Sequence, residues 1–301
     1  MTNSPRRTAI VTGAAQGIGE AEARALVAAG LEVILNDVDA EHLRATVDAL
    51  GGPAHAIAVP GDIADPATVD ALIDAATGPD SVLDTVVNNA AVLRTGMVFD
   101  IDDSDWDVVL GATLTGTFRL SRAAARHWRD HKGGRRNLVL TTSRAAILAN
   151  PGQTAYAAAK AGVAVMAQTL ARELRPYGVQ VNAIAPRAYT RMMRDGVGEF
   201  TAAAQEEWSP DHIGRFVAFL TTPEADGITG QVFVVHGPRA QLVRTWQVLE
   251  PVEFRFDEPA GVGGSVAKLF AEDERTIADF MVDDLPLADP TAPNPFAVNR
   301  T

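Results

Sequence analysis

A doubly wound α/β fold, one parallel sheet covered by helices on both faces, is the architecture this sequence predicts, on three observations. Short apolar runs without polar alternation recur through residues 1–237, as strands buried on both faces require. Each run is followed by a segment of helical composition, the β-α order that builds parallel sheets. The glycine-rich and polar residues that stand out fall where the runs end, at the carboxyl edge where such sheets gather their functional groups. Residues 1–237 form one domain on this reading, and residues 238–301 a C-terminal extension.

The elements follow in order. Thr8-Ala-Ile-Val-Thr12 is a strand that breaks into Gly13-Ala-Ala-Gln16-Gly17-Ile18-Gly19, and Glu20 to Ala29 has helical composition. Strand, glycine turn and helix place backbone N–H groups at a helix N-terminus, where they face an anion, and a Cβ in the turn would hold a diphosphate off those amides. The second run, Leu31 to Asn36, ends at Asp37. An acid at that distance accepts bonds from both ribose hydroxyls of an adenosine and repels a 2′-phosphate, so NAD is expected rather than NADP.

Residues 40–50 read as a helix and 54–59 as a third strand, with Asp62-Ile63 behind it. Asp65-Pro66 opens a helix with a capping acid and a first-turn proline. Val82 to Val87 is a fourth strand ending in Asn88-Asn89-Ala90-Ala91. Helices are expected over 103–110 and 113–130, then a fifth strand from Asn137 that delivers Ser143, a helix over 154–175, and a strand over 179–185 ending at Pro186.

On the 154–175 helix, Tyr156 and Lys160 are four residues apart and share a face with Val163, Ala167, Leu170 and Leu174. A phenol is a poor acid or base at neutral pH, and a fixed cation beside it favours the phenolate. A hydroxyl at Ser143 is placed to hold a carbonyl against that phenol. The spacing alone is weak evidence, since a Tyr and a Lys on one helical face also describe a half-buried ring beside a snorkelling amine.

Composition narrows the partners. Lysine and arginine total 26 against 38 acids, a net charge of −12, which disfavours nucleic acid and anionic membrane surfaces. Cysteine is absent, which removes disulfides, thiol catalysis and Cys-ligated zinc. The six histidines show no metal spacing, and no metal site is expected. No stretch reads as a signal or membrane span, so a soluble cytoplasmic protein is expected.

In Thr12-Gly-Ala-Ala-Gln-Gly-Ile-Gly19, Asp37, Asp62-Ile63, Asn88-Asn-Ala-Ala91, Ser143, Tyr156-Ala-Ala-Ala-Lys160 and Asn182-Ala-Ile-Ala-Pro186 with Thr190, residues 6–237 resemble the short-chain dehydrogenase/reductase family. The resemblance implies a Rossmann-type sheet and hydride transfer between the nicotinamide C4 and a carbinol carbon. Tyr156 would be the general acid/base. Lys160 would lower its pKa and hold the nicotinamide ribose, and Ser143 would orient the substrate oxygen. Gly13, Gly17 and Gly19, with Gln16 and Ile18 in the same turn, would seat the diphosphate and Asp37 the adenosine ribose. Asp62 with Ile63 would serve the adenine, Asn89 the region under the ribose, and Pro186 and Thr190 the nicotinamide. For Asp62 and Asn89, turn and capping work is an equal reading.

The family usually has Asn where this chain has Thr113, the fourth member of its catalytic set, whose amide holds a water joining the lysine to solvent. Arg187 replaces a common glycine. Residues 187–210, with Met192, Met193, Phe200 and Trp208, correspond to a substrate lid, and their apolar side chains suit a medium-sized or bulky apolar substrate, hydroxyacyl, steroid or polyketide-like, or pack the lid on the body. The family also implies a homotetramer or homodimer built through two long helices. In the extension, 242–256 suggests strand-like pieces and 266–281 a helix. The reading that follows is an NAD-dependent interconversion of a secondary alcohol and a ketone. The alternative is a non-redox use of the fold, as a cofactor-holding subunit or a cyclase or isomerase, suggested by Thr113.

Overall fold

The computed structural model describes residues 5–244. Among them, strands β1 (Arg6–Thr12), β2 (Glu32–Asn36), β3 (Ala56–Ala58), β4 (Ser81–Asn88), β5 (Arg136–Thr141), β6 (Val179–Arg187), β7 (Val232–His236) and β8 (Arg239–Val243) form one sheet in the order β3-β2-β1-β4-β5-β6-β7-β8. Pairing is parallel up to β7, and β8 returns antiparallel along it. The order reverses between β1 and β4, which opens a crevice at the carboxyl ends of those two strands.

Helices α1 (Gly17–Ala28), α2 (Ala40–Ala49) and α10 (Asp211–Leu220) cover one face, where Leu26, Leu43, Ile213 and Val217 pack on Val11, Leu35, Val87 and Val139. Helices α3 (Pro66–Ala76), α5 (Thr117–Asp130) and α7 (Thr154–Leu174) cover the other, with Leu72, Leu120, Val163 and Ala167 on Ile10, Ile34, Leu138 and Leu140. Adjacent strand residues feed opposite clusters, so the strands are apolar throughout. Three helix starts are capped by acids: Asp39 accepts from His42 N, Asp65 from Ala67 N with Pro66 next to it, and Asp102 from Asp105 N at α4 (Asp103–Leu110).

Two boundaries differ from the sequence reading. α4 does not end before a second helix at 113; Gly111–Gly116 forms a π-helical turn that joins α4 directly to α5. The Thr113 hydroxyl accepts from Val92 N (3.2 Å) while Thr117 Oγ1 donates to the Thr113 carbonyl (2.7 Å), bonds that compete with a regular helical ladder. The sheet also continues past residue 237, because β8 pairs with β7. The expected strand-like pieces beyond 244 and the helix over 266–281 lie outside the described residues.

Candidate active site

The crevice is built from the glycine turn upward. Gly13 takes a left-handed backbone (φ 64°) that glycine adopts without strain. At Gly19 a Cβ would stand 2.2 Å from the Gly13 carbonyl oxygen and 2.7 Å from Asn89 Nδ2, so α1 can approach the turn only without one. Asn89 ties the turn down: its Nδ2 donates to the carbonyls of Thr12 (3.0 Å) and Gly13 (3.2 Å), and its N–H donates to Thr12 Oγ1 (3.1 Å). At the tip of β2, Asp37 accepts from Ala15 N and Asp39 N (both 3.1 Å). Gln16 precedes α1 without a side-chain cap, so the first amides of that helix have no side-chain acceptor. Ile18 packs on the core beneath.

These features fit a dinucleotide: a Cβ-free turn, uncapped helix amides for the diphosphate and a carboxylate beside them for a ribose diol. Thr190 joins this end, its Cγ2 lying 3.5 Å from the point a Gly17 Cβ would occupy, and it caps α8 (Arg191–Val197) by accepting from Met193 N. Asp62 is exposed and accepts from Ala64 N (2.8 Å), while Ile63 is buried under Gly116. Asp62 and Asn89 therefore do the turn work that the sequence allowed for, in positions bordering the crevice. Pro186 lies at the carboxyl end of β6, opposite Val235 of β7.

Ser143, Tyr156 and Lys160 come together at the end of β5. Ser143 follows the strand by two residues, its Oγ accepting from Ala145 N (3.1 Å) at the start of α6 (Ala145–Leu148), and its side chain acts on the Tyr156 hydroxyl. Lys160 is buried, with Nζ donating to the Thr141 carbonyl (2.5 Å), and Thr142 Oγ1 donates to the Lys160 carbonyl (2.6 Å). Its Nζ lies 5.7 Å from the Tyr156 ring centroid.

The electrostatics correct one expectation. Lys160 was expected to lower the Tyr156 pKa; instead, burial raises it, and the opposing influence is the Ser143 hydrogen bond. The lysine is itself desolvated: burial lowers its pKa to about 7, with the carboxyl of Glu22 pulling it back up. A cation that is half neutral and bonded to a carbonyl does little to favour a phenolate.

Thr113, buried at the π-helical turn, directs its hydroxyl to the Val92 backbone. Arg187 stacks over Trp208, 4.5 Å from its centroid. In the lid, α9 (Ala202–Glu207) brings Phe200 and Trp208 into a buried cluster with Met193 and Tyr189, and Met192 is left 46% exposed. The segment's apolar residues therefore pack mainly on one another, with Trp208 also edge-on to His236 of β7.

Sequence reasoning missed Thr141, Thr142 and Glu22, all of which act on Lys160. The first two influence it through a backbone carbonyl or a bond to its own carbonyl, which residue type does not reveal. Glu22 did leave a signal, an acid on the helix face that carries Gly19 and Leu26 inward.

A sequence profile described as enoyl-(acyl carrier protein) reductase matches residues 13–237. A hydroxyacyl-CoA dehydrogenase, ChsB1, of Mycobacterium tuberculosis is 43% identical over 258 residues, covering 80% of this chain and 81% of that protein. A 3-oxoacyl-[acyl-carrier-protein] reductase of Synechocystis is 37% identical, covering 79% and 98%. Among solved structures, a short chain dehydrogenase from Mycobacterium avium superposes with a TM-score of 0.77 at 32% identity, over 89% of this chain and 96% of that one. A 3-ketoacyl-(acyl-carrier-protein) reductase from Brucella melitensis complexed with NADH gives 0.68 at 27% identity, over 78% and 98%. The chain belongs to the short-chain dehydrogenase/reductase family, oxidoreductases that use a nicotinamide cofactor.

Proposed function

We propose that the protein is an NAD-dependent dehydrogenase/reductase that interconverts a secondary alcohol and a ketone on a medium-sized, largely apolar acyl substrate of the 3-hydroxyacyl/3-oxoacyl thioester type. The observation that carries this is the meeting of Ser143, Tyr156 and Lys160 at the end of β5, beside a glycine turn suited to a diphosphate. The named activities of the relatives, a hydroxyacyl-CoA dehydrogenase and 3-oxoacyl reductases, support the substrate class.

A bound nicotinamide supplies or accepts the hydride. In the reducing direction Ser143 holds the substrate carbonyl oxygen and Tyr156 donates its Oη proton to it; in the oxidising direction the phenolate takes that proton back. Lys160 lies beside the phenol with a charge that varies near neutral pH, and Thr113 holds the loop after β4 against the helix that borders the site. The non-redox alternative gains no support from the relatives, which are dehydrogenases and reductases by name.

Asp37 is the reason for choosing NAD. With 3-oxoacyl and 3-hydroxyacyl thioesters followed at 340 nm, kcat/KM should be higher with NAD(H) than with NADP(H), and Asp37→Ala should narrow the ratio by about 10-fold or more, mainly by improving use of NADP(H). Preference for NADP(H) in the parent protein would contradict the assignment; turnover with neither cofactor across ketones and alcohols would contradict the function. The reading extends to a cytoplasmic homo-oligomer assembled through α5 and α7, which leave Phe118 and Val165 exposed. No helix among the described residues is long and apolar enough to cross a membrane.

A further inference from the structure

The carboxyl edge of the sheet carries a row of basic residues beside Ser143. Arg187, the last residue of β6, pairs with His236 of β7, and His236 pairs in turn with Arg239 of β8. On the other side Thr141 pairs with Ile184, and Thr142 N donates to the Ile184 carbonyl. Carried two residues further, that register sets Ser143 beside Pro186 and Arg144 beside Arg187. Ala183, four residues before Arg187, packs with Val163 and Ala167 of α7, so strand alternation turns Arg187 to the α7 side of the sheet. That is the side from which Tyr156 and Lys160 reach the end of β5. Neighbouring strands are about 5 Å apart, so Arg187 starts one strand away from Ser143.

The Arg187 guanidinium is held over the indole of Trp208, 4.5 Å from its centroid. Trp208 is fixed in turn: it is buried, edge-on to Phe200 (5.0 Å) and to His236 (4.3 Å), and its carbonyl accepts from Tyr189 N (2.7 Å). Stacking uses the flat face of a guanidinium, whose N–H donors point outward in its plane, the arrangement that takes a carboxylate bidentate.

The sign of this row runs against the rest of the molecule, whose net charge is −12. Glu207 answers one end of it, 2.8 Å from Arg239. Half-buried Arg144, at the other end, makes no side-chain hydrogen bond or ion pair among the described residues. Burial and the charge of Arg187 lower the His236 pKa, Arg239 and Arg144 act the same way, and Glu207 opposes them. His236 is therefore neutral near pH 7 and the arginines carry the charge. Like charges gathered in one row repel, and an anion arriving beside Ser143 relieves that repulsion.

We propose that Arg144 and Arg187 form an anion subsite beside the reacting carbon, and that the substrate is a hydroxyacyl or oxoacyl thioester with a free carboxylate on its acyl chain, selected by Arg187. Carrier phosphates offer the same anionic oxygens, but in a CoA thioester they lie at the far end of the pantetheine arm, whereas this subsite adjoins the residue that holds the reacting oxygen. The thioester rests on the function proposed above; the anion subsite does not.

The N-acetylcysteamine thioester of 3-oxoadipate ends in a carboxylate, its methyl ester is uncharged there, and neither carries a phosphate. With NADH or NADPH at 340 nm, the acid should have a kcat/KM about 10-fold or more above that of the ester, chiefly through KM. Arg187→Gln should shrink that ratio by about 10-fold, and Arg187→Lys should restore part of it. Equal kcat/KM for acid and ester in the parent protein overturns the proposal, as does a ratio unchanged in folded Arg187→Gln. Arg144→Gln carries the same comparison if Arg187→Gln does not fold. Should the ester be favoured as its CoA thioester through Arg187, with no preference for the acid, the anion is a carrier phosphate and the carboxylate assignment is overturned. Absence of turnover with both thioesters would fail the function reading and leave the subsite to calorimetry: the acid should still bind more tightly than the ester and lose that advantage in Arg187→Gln, and equal binding overturns the subsite.

Discussion

Lys160 is bonded through Nζ to the Thr141 carbonyl, and burial has brought its pKa to about 7. Its charge is therefore a variable near neutral pH, where an exposed lysine would be a constant. Glu22 varies in the opposite sense, and both leave a mark on stability. Burial holds the folded carboxyl at about 8, against an ordinary value of 4.5. Its contribution is fully present below about pH 4.5 and is lost as pH rises to 8. Lys160, depressed from 10.5 to about 7, contributes stability that is fully present above pH 10.5 and is lost as pH falls through 7. Glu22→Gln keeps the shape of the protonated acid and cannot ionise. Its Tm relative to the parent protein should therefore rise from pH 5 to pH 8, by several degrees for a difference on the order of 2 kcal/mol. A Tm difference that is flat with pH would show that the acid is not held protonated.

The strands and the glycine turn were legible because they depend on local signals, apolar runs of the right length and a Gly spacing with an acid behind it. β2 came out as Glu32–Asn36 and β6 as Val179–Arg187, close to their apolar runs, while the third strand shortened from 54–59 to Ala56–Ala58. The junction at 111–116 was not legible. Its π-helical turn rests on the bond from Val92 N to the Thr113 hydroxyl and the bond from Thr117 Oγ1 to the Thr113 carbonyl, and the first of these joins residues on different elements. Spacing put Tyr156 and Lys160 on one helix face and an apolar run put Ser143 at a strand end, but the direction of the Tyr156 and Lys160 pKa shifts depends on burial, which residue type alone does not give. At the helix junction, Thr113→Asn supplies an amide that can still accept from Val92 N, and kcat should stay equal or rise. A drop of 10-fold or more would give the threonine hydroxyl a role of its own in turnover.

At the scale of the whole molecule, the antiparallel β8 covers the outer edge of β7, which would otherwise present unpaired backbone groups. The extension therefore begins as part of the sheet. Removing residues 240–301 should lower Tm and promote association at the exposed edge, or reduce the mass of the assembly; unchanged melting and unchanged mass by light scattering would contradict a structural role for this segment. The sheet, the crevice where its order reverses and the residues at the end of β5 converge on one chemical claim, that Tyr156 moves the proton that accompanies hydride transfer. The most direct test is the 340 nm rate with NAD and a 3-hydroxyacyl thioester, for the parent protein and Tyr156→Phe, with NADH binding measured alongside. The account predicts a fall in kcat of about 10² to 10⁴ with NADH affinity retained. Equal turnover in the two proteins would contradict it.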